Sequence, residues 1–105
     1  MFGTPSVPEI SSQEAQARIT SAEPPFVLDV REPDEYANGH IPGSKLIPLG
    51  TLGNHLAELP KEQPIVVVCA AGGRSAHATQ HLVQAGYKAV NMVGGMMGWQ
   101  GPVER

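Results

Sequence analysis

An α/β fold is predicted, a mainly parallel sheet with helices on both faces, and three features of the sequence predict it. Strand-like and helix-like stretches alternate from end to end. The runs Phe26-Val27-Leu28-Asp29-Val30 and Ile65-Val66-Val67-Val68 are almost unbroken in apolar character, as expected of central strands covered on two sides. Residues 65–75 read as strand, glycine loop and helix start, so the loop falls at a strand's carboxyl end, where such sheets keep their working crevice.

Taken in order, residues 1–7 are expected to be a loose leader, and Pro8-Glu9-Ile10 a short edge strand, where proline is tolerated. Ser11 with Glu14 offers a capping box for a helix running to about Ile19, with Ala15 and Ile19 inward, stopped by Pro24-Pro25. The strand 26–30 follows. Residues 31–39 predict a short helix, with Pro33 in its first turn, acids near its start and Asn38-Gly39 at its end. Residues 40–44 predict a loop and 45–49 a short strand. Leu52, Leu56 and Leu59 share one face of a helix predicted over 51–59. After the connector 60–64 come the strand 65–68, the cysteine loop, and a helix from Ser75 to about Gln84 that Gly86 caps. Residues 89–93 predict the last strand, and 94–99 a short closing helix.

The 105 residues suit one domain, residues 1–105, with one core, and the 41% hydrophobic content is that of a globular chain. A net charge of −3 with interspersed signs leaves no basic patch for nucleic acid and no attraction to an anionic membrane. No apolar run approaches a membrane span, and the N-terminus lacks the regions of a signal peptide. The single cysteine rules out an internal disulfide framework and a multi-cysteine metal site. An exposed acidic thiol would suit a reducing cytoplasm, the expected location.

That cysteine, Cys69, ends four β-branched residues and precedes Ala70-Ala71-Gly72-Gly73-Arg74-Ser75. Gly72 and Gly73 are expected to curl the backbone through positive φ, so that the N–H groups of residues 70–74 and the helix N-terminus converge on one spot. A thiolate at the rim of that cup is favoured by the helix, the N–H groups and Arg74, which makes Cys69 the candidate nucleophile. Arg74 is expected either to bond loop carbonyls or to meet an anionic donor. Asp29 and Arg31 are expected to hold strand ends together, and His40 to shape the turn at Ile41-Pro42-Gly43. His77 and His81 stand four apart, a metal-binding spacing, but without a third ligand nearby they read as a solvated helix face, and no metal or cofactor is expected. Met96 and Met97 read as pocket wall or core, and Trp99 as packing for the closing helix.

Four stretches carry a family resemblance. Leu28-Asp29-Val30-Arg31-Glu32-Pro33-Asp34-Glu35-Tyr36 with Gly39-His40-Ile41-Pro42-Gly43-Ser44, then Cys69 to Ser75, then Gly94-Gly95-Met96-Met97-Gly98-Trp99, resemble in order the signatures of single-domain rhodaneses, over residues 10–99. The resemblance implies a rhodanese-like, three-layer α/β/α fold with five strands. It implies a sulfurtransferase in which Cys69 takes a sulfane sulfur from a donor such as thiosulfate, holds it as a persulfide, and yields it to cyanide, a thiol, thioredoxin or a sulfur-carrier protein. Ala70, Ala71, Gly72, Gly73 and Arg74 would bind the sulfur, with Asp29, Arg31, His40 and Ser75 in support. Many members carry a charged or polar residue directly after the cysteine; here Ala70-Ala71 leaves Arg74 as the loop's one cation. Two other readings stand beside this one. A sulfur-carrier or binding module docked on a partner protein is the first. The second is a cysteine phosphatase or arsenate reductase, which resembles this domain but has one more residue between cysteine and arginine.

Overall fold

The computed structural model describes residues 6–105; within the predicted leader, residues 1–5 lie outside the described residues. Five strands, β1 (Glu9–Ile10), β2 (Phe26–Asp29), β3 (Lys45–Leu46), β4 (Ile65–Val68) and β5 (Ala89–Met92), form one sheet in the order β1-β5-β4-β2-β3. Every pairing is parallel, with Asp29 opposite Val68 and Val67 opposite Asn91. Three helices accompany it: α1 (Ser12–Ile19), α2 (Pro33–Ala37) and α3 (Gly73–Gln84).

The two-residue period of the strands divides the core into two layers. Leu28, Val30, Ile65, Val67 and Ala89 point to one face, where Ala78 and Leu82 of α3 meet Leu52, Leu59 and Tyr87. Val27, Val66, Val68 and Met92 point to the other, against Ala15 of α1, Ile41, Met96 and Trp99. Both faces of the central strands are therefore dry. The result is the three-layer α/β/α arrangement. Among the described residues no helix is long and apolar enough to cross a membrane.

Several elements differ from the sequence expectation, each for a local reason. The helix over 51–59 is replaced by two 3-10 turns, Leu49–Asn54 and Leu56–Glu58. Gly50 and Gly53 disfavour an α-helix there, yet Leu52 and Leu59 still reach the core, so the leucine spacing marked burial and not helix type. The closing helix is likewise a 3-10 turn, Gly95–Gly98. Strand β3 stops at Leu46, because Pro48 has no N–H to donate, although Ile47 and Leu49 still donate to the Asp29 and Val30 carbonyls. Ser11 caps α1 by accepting from the Glu14 N–H at 3.0 Å, but the Glu14 carboxylate turns to Arg18 and the capping box is half made. Helix α2 starts at Pro33, leaving Arg31 free to fold back into the protein.

Candidate functional site around Cys69

Cys69 leaves β4 at its carboxyl end, and its side chain follows the alternation of the strand onto the α3 face. It does not sit at a rim. The residue is 1% exposed and forms the floor of the loop. Burial alone would make it an inert apolar group, but the sulfur is surrounded by donors. Gly72 turns with φ at 107° and sends its N–H to Sγ at 3.1 Å, and the Ser75 hydroxyl lies 3.2 Å from the same atom. Gly72 is the N-cap of α3 and has no side chain to satisfy the first turn, so the cysteine sulfur performs that service. Only Gly72 takes positive φ; Gly73 is already helical, which corrects the expectation that both glycines curl the loop.

Burial is the largest single influence on the thiol and pushes its pKa up. The Ser75 hydroxyl and the N–H groups of Ser75, Gly72 and Ala71 pull the other way and together prevail, so the thiol is held below its ordinary value. Ser75→Ala removes the strongest of those pulls and should raise the thiol pKa. Ultraviolet absorbance of the thiolate against pH, with Cys69→Ala as the blank, measures it; an unchanged midpoint would remove Ser75 from the account.

Arg74 does not bond the loop carbonyls, the first of its two expected roles. Its guanidinium meets the Glu35 carboxylate in a two-bonded pair, Nη1 to Oε1 at 2.8 Å and Nη2 to Oε2 at 2.9 Å, and bonds no loop carbonyl. The Arg74 hydrogen bonds are the main reason that the Glu35 pKa is held down at about 2. Attraction to the Cys69 thiolate is a smaller influence on Arg74 than its bonds to Glu35. Glu35 also accepts from the Glu32 N–H at 2.9 Å, so one carboxylate ties α2 to the cysteine loop and neutralises the loop's cation.

The remaining predicted residues fall into distinct places. Asp29, the last residue of β2, and Arg31 form a buried pair, with Nη2 to Oδ2 at 2.9 Å; Arg31 also reaches the Gly39 carbonyl at 2.8 Å. They bond the chain after β2 and not the cysteine loop. His40 stacks on Tyr36 and its Nδ1 lies 2.8 Å from the Tyr36 carbonyl, so its side chain looks back to α2 and not to the following turn. Met96 packs in the core, whereas Met97 is 81% exposed and is not part of it. Trp99 packs with Met96 and donates to the Pro102 carbonyl. His77 and His81 are exposed on α3 and line a pocket of about 250 Å³ with Leu49, Leu52 and Gly53. That pocket has no lining residue from the cysteine loop. Among the described residues no group of three metal-ligating side chains is present.

Two contributors were given no role at the site from the sequence. Glu35 is one. Asn91 of β5 is the other: it accepts from the Ser75 hydroxyl at 2.5 Å and donates to the Gly72 carbonyl at 3.2 Å. A polar residue amid Ala89, Val90, Met92 and Val93 was the available signal.

The chain is similar to known proteins over most of its length. A sulfurtransferase of Allochromatium vinosum is 34% identical over 94 residues, 89% of this chain and 88% of that protein. YrkF of Bacillus subtilis is 40% identical over 100 residues, 94% of this chain, but the chain spans only 54% of that protein's length. The crystal structure of a rhodanese-like domain protein from Staphylococcus aureus superposes with a TM-score of 0.87 at 36% identity, covering 92% of this chain and 96% of that one. The family profile described as rhodanese-like domain matches residues 11–102, and the chain belongs to that family.

Proposed function

We propose that the protein is a sulfurtransferase whose Cys69 thiolate carries a sulfane sulfur as a persulfide. The observation that supports it is the set of donors, the N–H groups of Gly72, Ser75 and Ala71 and the Ser75 hydroxyl, gathered on a sulfur that would otherwise be buried in aliphatic surroundings. With thiosulfate, the Cys69 sulfur attacks the outer sulfur, an S–S bond forms, and sulfite leaves with the bonding pair. No proton is needed for that departure. The new terminal sulfur carries the negative charge, and the N–H groups of residues 70–74 stabilise it as an oxyanion hole stabilises oxygen. An acceptor nucleophile, cyanide in an assay or a thiol of a small molecule or partner protein, then takes the terminal sulfur and returns the Cys69 thiolate.

Donor charge enters through Arg74. Its pairing with Glu35 leaves little positive charge for a dianion, and Ala70 and Ala71 add none. Donors with less charge than thiosulfate, such as organic persulfides, are therefore preferred. Intact mass after incubation with each donor tests the proposal. A gain of one sulfur atom, absent in Cys69→Ala, is expected; no adduct with any sulfane donor would point instead to a binding module.

Phosphatase activity is not expected. Four residues, 70–73, separate Cys69 from Arg74, a short cup for a phosphate tetrahedron, and the guanidinium is committed to Glu35. Turnover of an aryl phosphate that disappears in Cys69→Ser would overturn the assignment.

A further inference from the structure

The Ser75 hydroxyl has one proton and two acceptors within reach: Asn91 Oδ1 at 2.5 Å and Cys69 Sγ at 3.2 Å. The orientation of the Asn91 amide is decided by its other end. The Gly72 carbonyl can only accept, so the group 3.2 Å from it is the NH2, and the amide oxygen must face Ser75. All three side chains are sealed from solvent: Cys69 is 1%, Ser75 0% and Asn91 4% exposed. Thr79 does not compete, since its hydroxyl donates to the Ser75 backbone carbonyl at 2.7 Å.

We propose that Asn91 is a positioning residue that competes with the Cys69 sulfur for the Ser75 proton and so sets how readily the thiolate forms. In the thiol state S–H donates to Ser75 Oγ, whose own proton goes to Asn91. In the thiolate state the Ser75 proton turns to Sγ, and the buried Asn91 oxygen loses its donor. Leaving a buried acceptor unpaired has a cost, so Asn91 resists thiolate formation. Once Sγ carries a second sulfur it is no longer the charged atom, and the Ser75 proton returns to Asn91. The arrangement thus moderates the free thiolate without hindering the loaded state. The charged groups on the elements packed around the loop are Arg74, paired with Glu35 of α2, and the Asp29–Arg31 pair at the carboxyl end of neighbouring β2. β5 and the 3-10 turn that follows it bring no charged side chain.

The proposal rests on Cys69 being the working thiolate, but its test needs no sulfur donor, so failure of sulfur transfer and failure of this proposal are separately visible. The thiol midpoint is measured by thiolate absorbance in the wild type, Asn91→Leu and Asn91→Ala, each alone and combined with Ser75→Ala. Either Asn91 substitution removes the competing acceptor; leucine preserves volume, and alanine serves if leucine does not fold. The midpoint should fall by about one pH unit, a tenfold larger thiolate fraction below it, and Ser75→Ala should erase that fall. A midpoint that is unchanged or higher, or an equal fall without Ser75, overturns the proposal. In the unsubstituted protein, the Asn91 side-chain amide signals in a 1H–15N spectrum should titrate in step with the thiol. Signals that stay fixed through that titration would overturn it as well.

Discussion

Cys69→Ala is expected to abolish sulfur uptake, with turnover falling by on the order of 10⁴-fold or more, while the protein stays folded. The chain has no second cysteine to substitute for the first. The cost to the fold is modest because only one sulfur atom leaves the core: the small cavity and the Gly72 N–H left without an acceptor amount to about 2 kcal/mol. The pH dependence of that cost separates a thiolate from a merely packed thiol. The folded protein holds the thiol below its ordinary value of 9.0, so between the two pKa values the unfolded chain binds more protons than the native one. The thiol's contribution to stability is therefore full above the unfolded pKa and is lost as pH falls through the folded pKa. Urea unfolding of wild type and Cys69→Ala across alkaline pH should show a stability gap that widens as pH rises. A flat gap, or transfer that survives the substitution, would contradict the reading of Cys69 as an ionised nucleophile.

Much of this site could be read from the chain because it is local. Strand, cysteine, glycine and helix lie within 11 consecutive residues, 65–75, and such a segment has few ways to fold once β4 is buried on both faces. The same holds for the central strands, whose apolar runs leave no solvent face to accommodate. The partner of Arg74 was not legible. Glu35 lies 39 residues away, and a long flexible side chain can satisfy its charge wherever the tertiary fold brings a carboxylate. Asn91 was missed for another reason. Its place opposite Val67 is set by strand register, and only that register turns it toward Ser75 instead of toward α1. The depth of Cys69 was also misjudged, since a residue just after a strand reads as a loop residue whereas the sheet alternation carries its side chain inward. The 3-10 turns after β3 show the converse: burial was correctly signalled by Leu52 and Leu59, but two glycines decided the backbone.

Gly95→Ala is expected to be strongly damaging, although Gly95 lies outside the cysteine loop. Its φ is 57°, and a β-carbon built there would lie 2.4 Å from the Cys69 carbonyl oxygen and 2.6 Å from the carbonyl carbon and oxygen of Ala70. Those are backbone atoms that cannot step aside. The same two carbonyls accept the Met96 and Met97 N–H groups at 2.8 and 2.9 Å, and these bonds press the turn after β5 onto the cysteine loop. A methyl group must either break them or push the loop, and pushing the loop displaces the Gly72 N–H from Sγ. Left-handed strain and steric overlap together place the cost on the order of 3 kcal/mol or more, a fall in melting temperature of about 12 °C or more. The thiol midpoint should move toward its ordinary value at the same time, because the donors around Sγ are misplaced. Gly98→Ala in the same turn is the control, since a β-carbon there meets nothing within 4 Å, and it should change stability by less than about 0.5 kcal/mol. Thermal unfolding of the two variants side by side decides the matter. If Gly95→Ala melts within a few degrees of Gly98→Ala and keeps its acidic thiol, then the close seat of this turn on the cysteine loop does not hold the sulfur's donors in place.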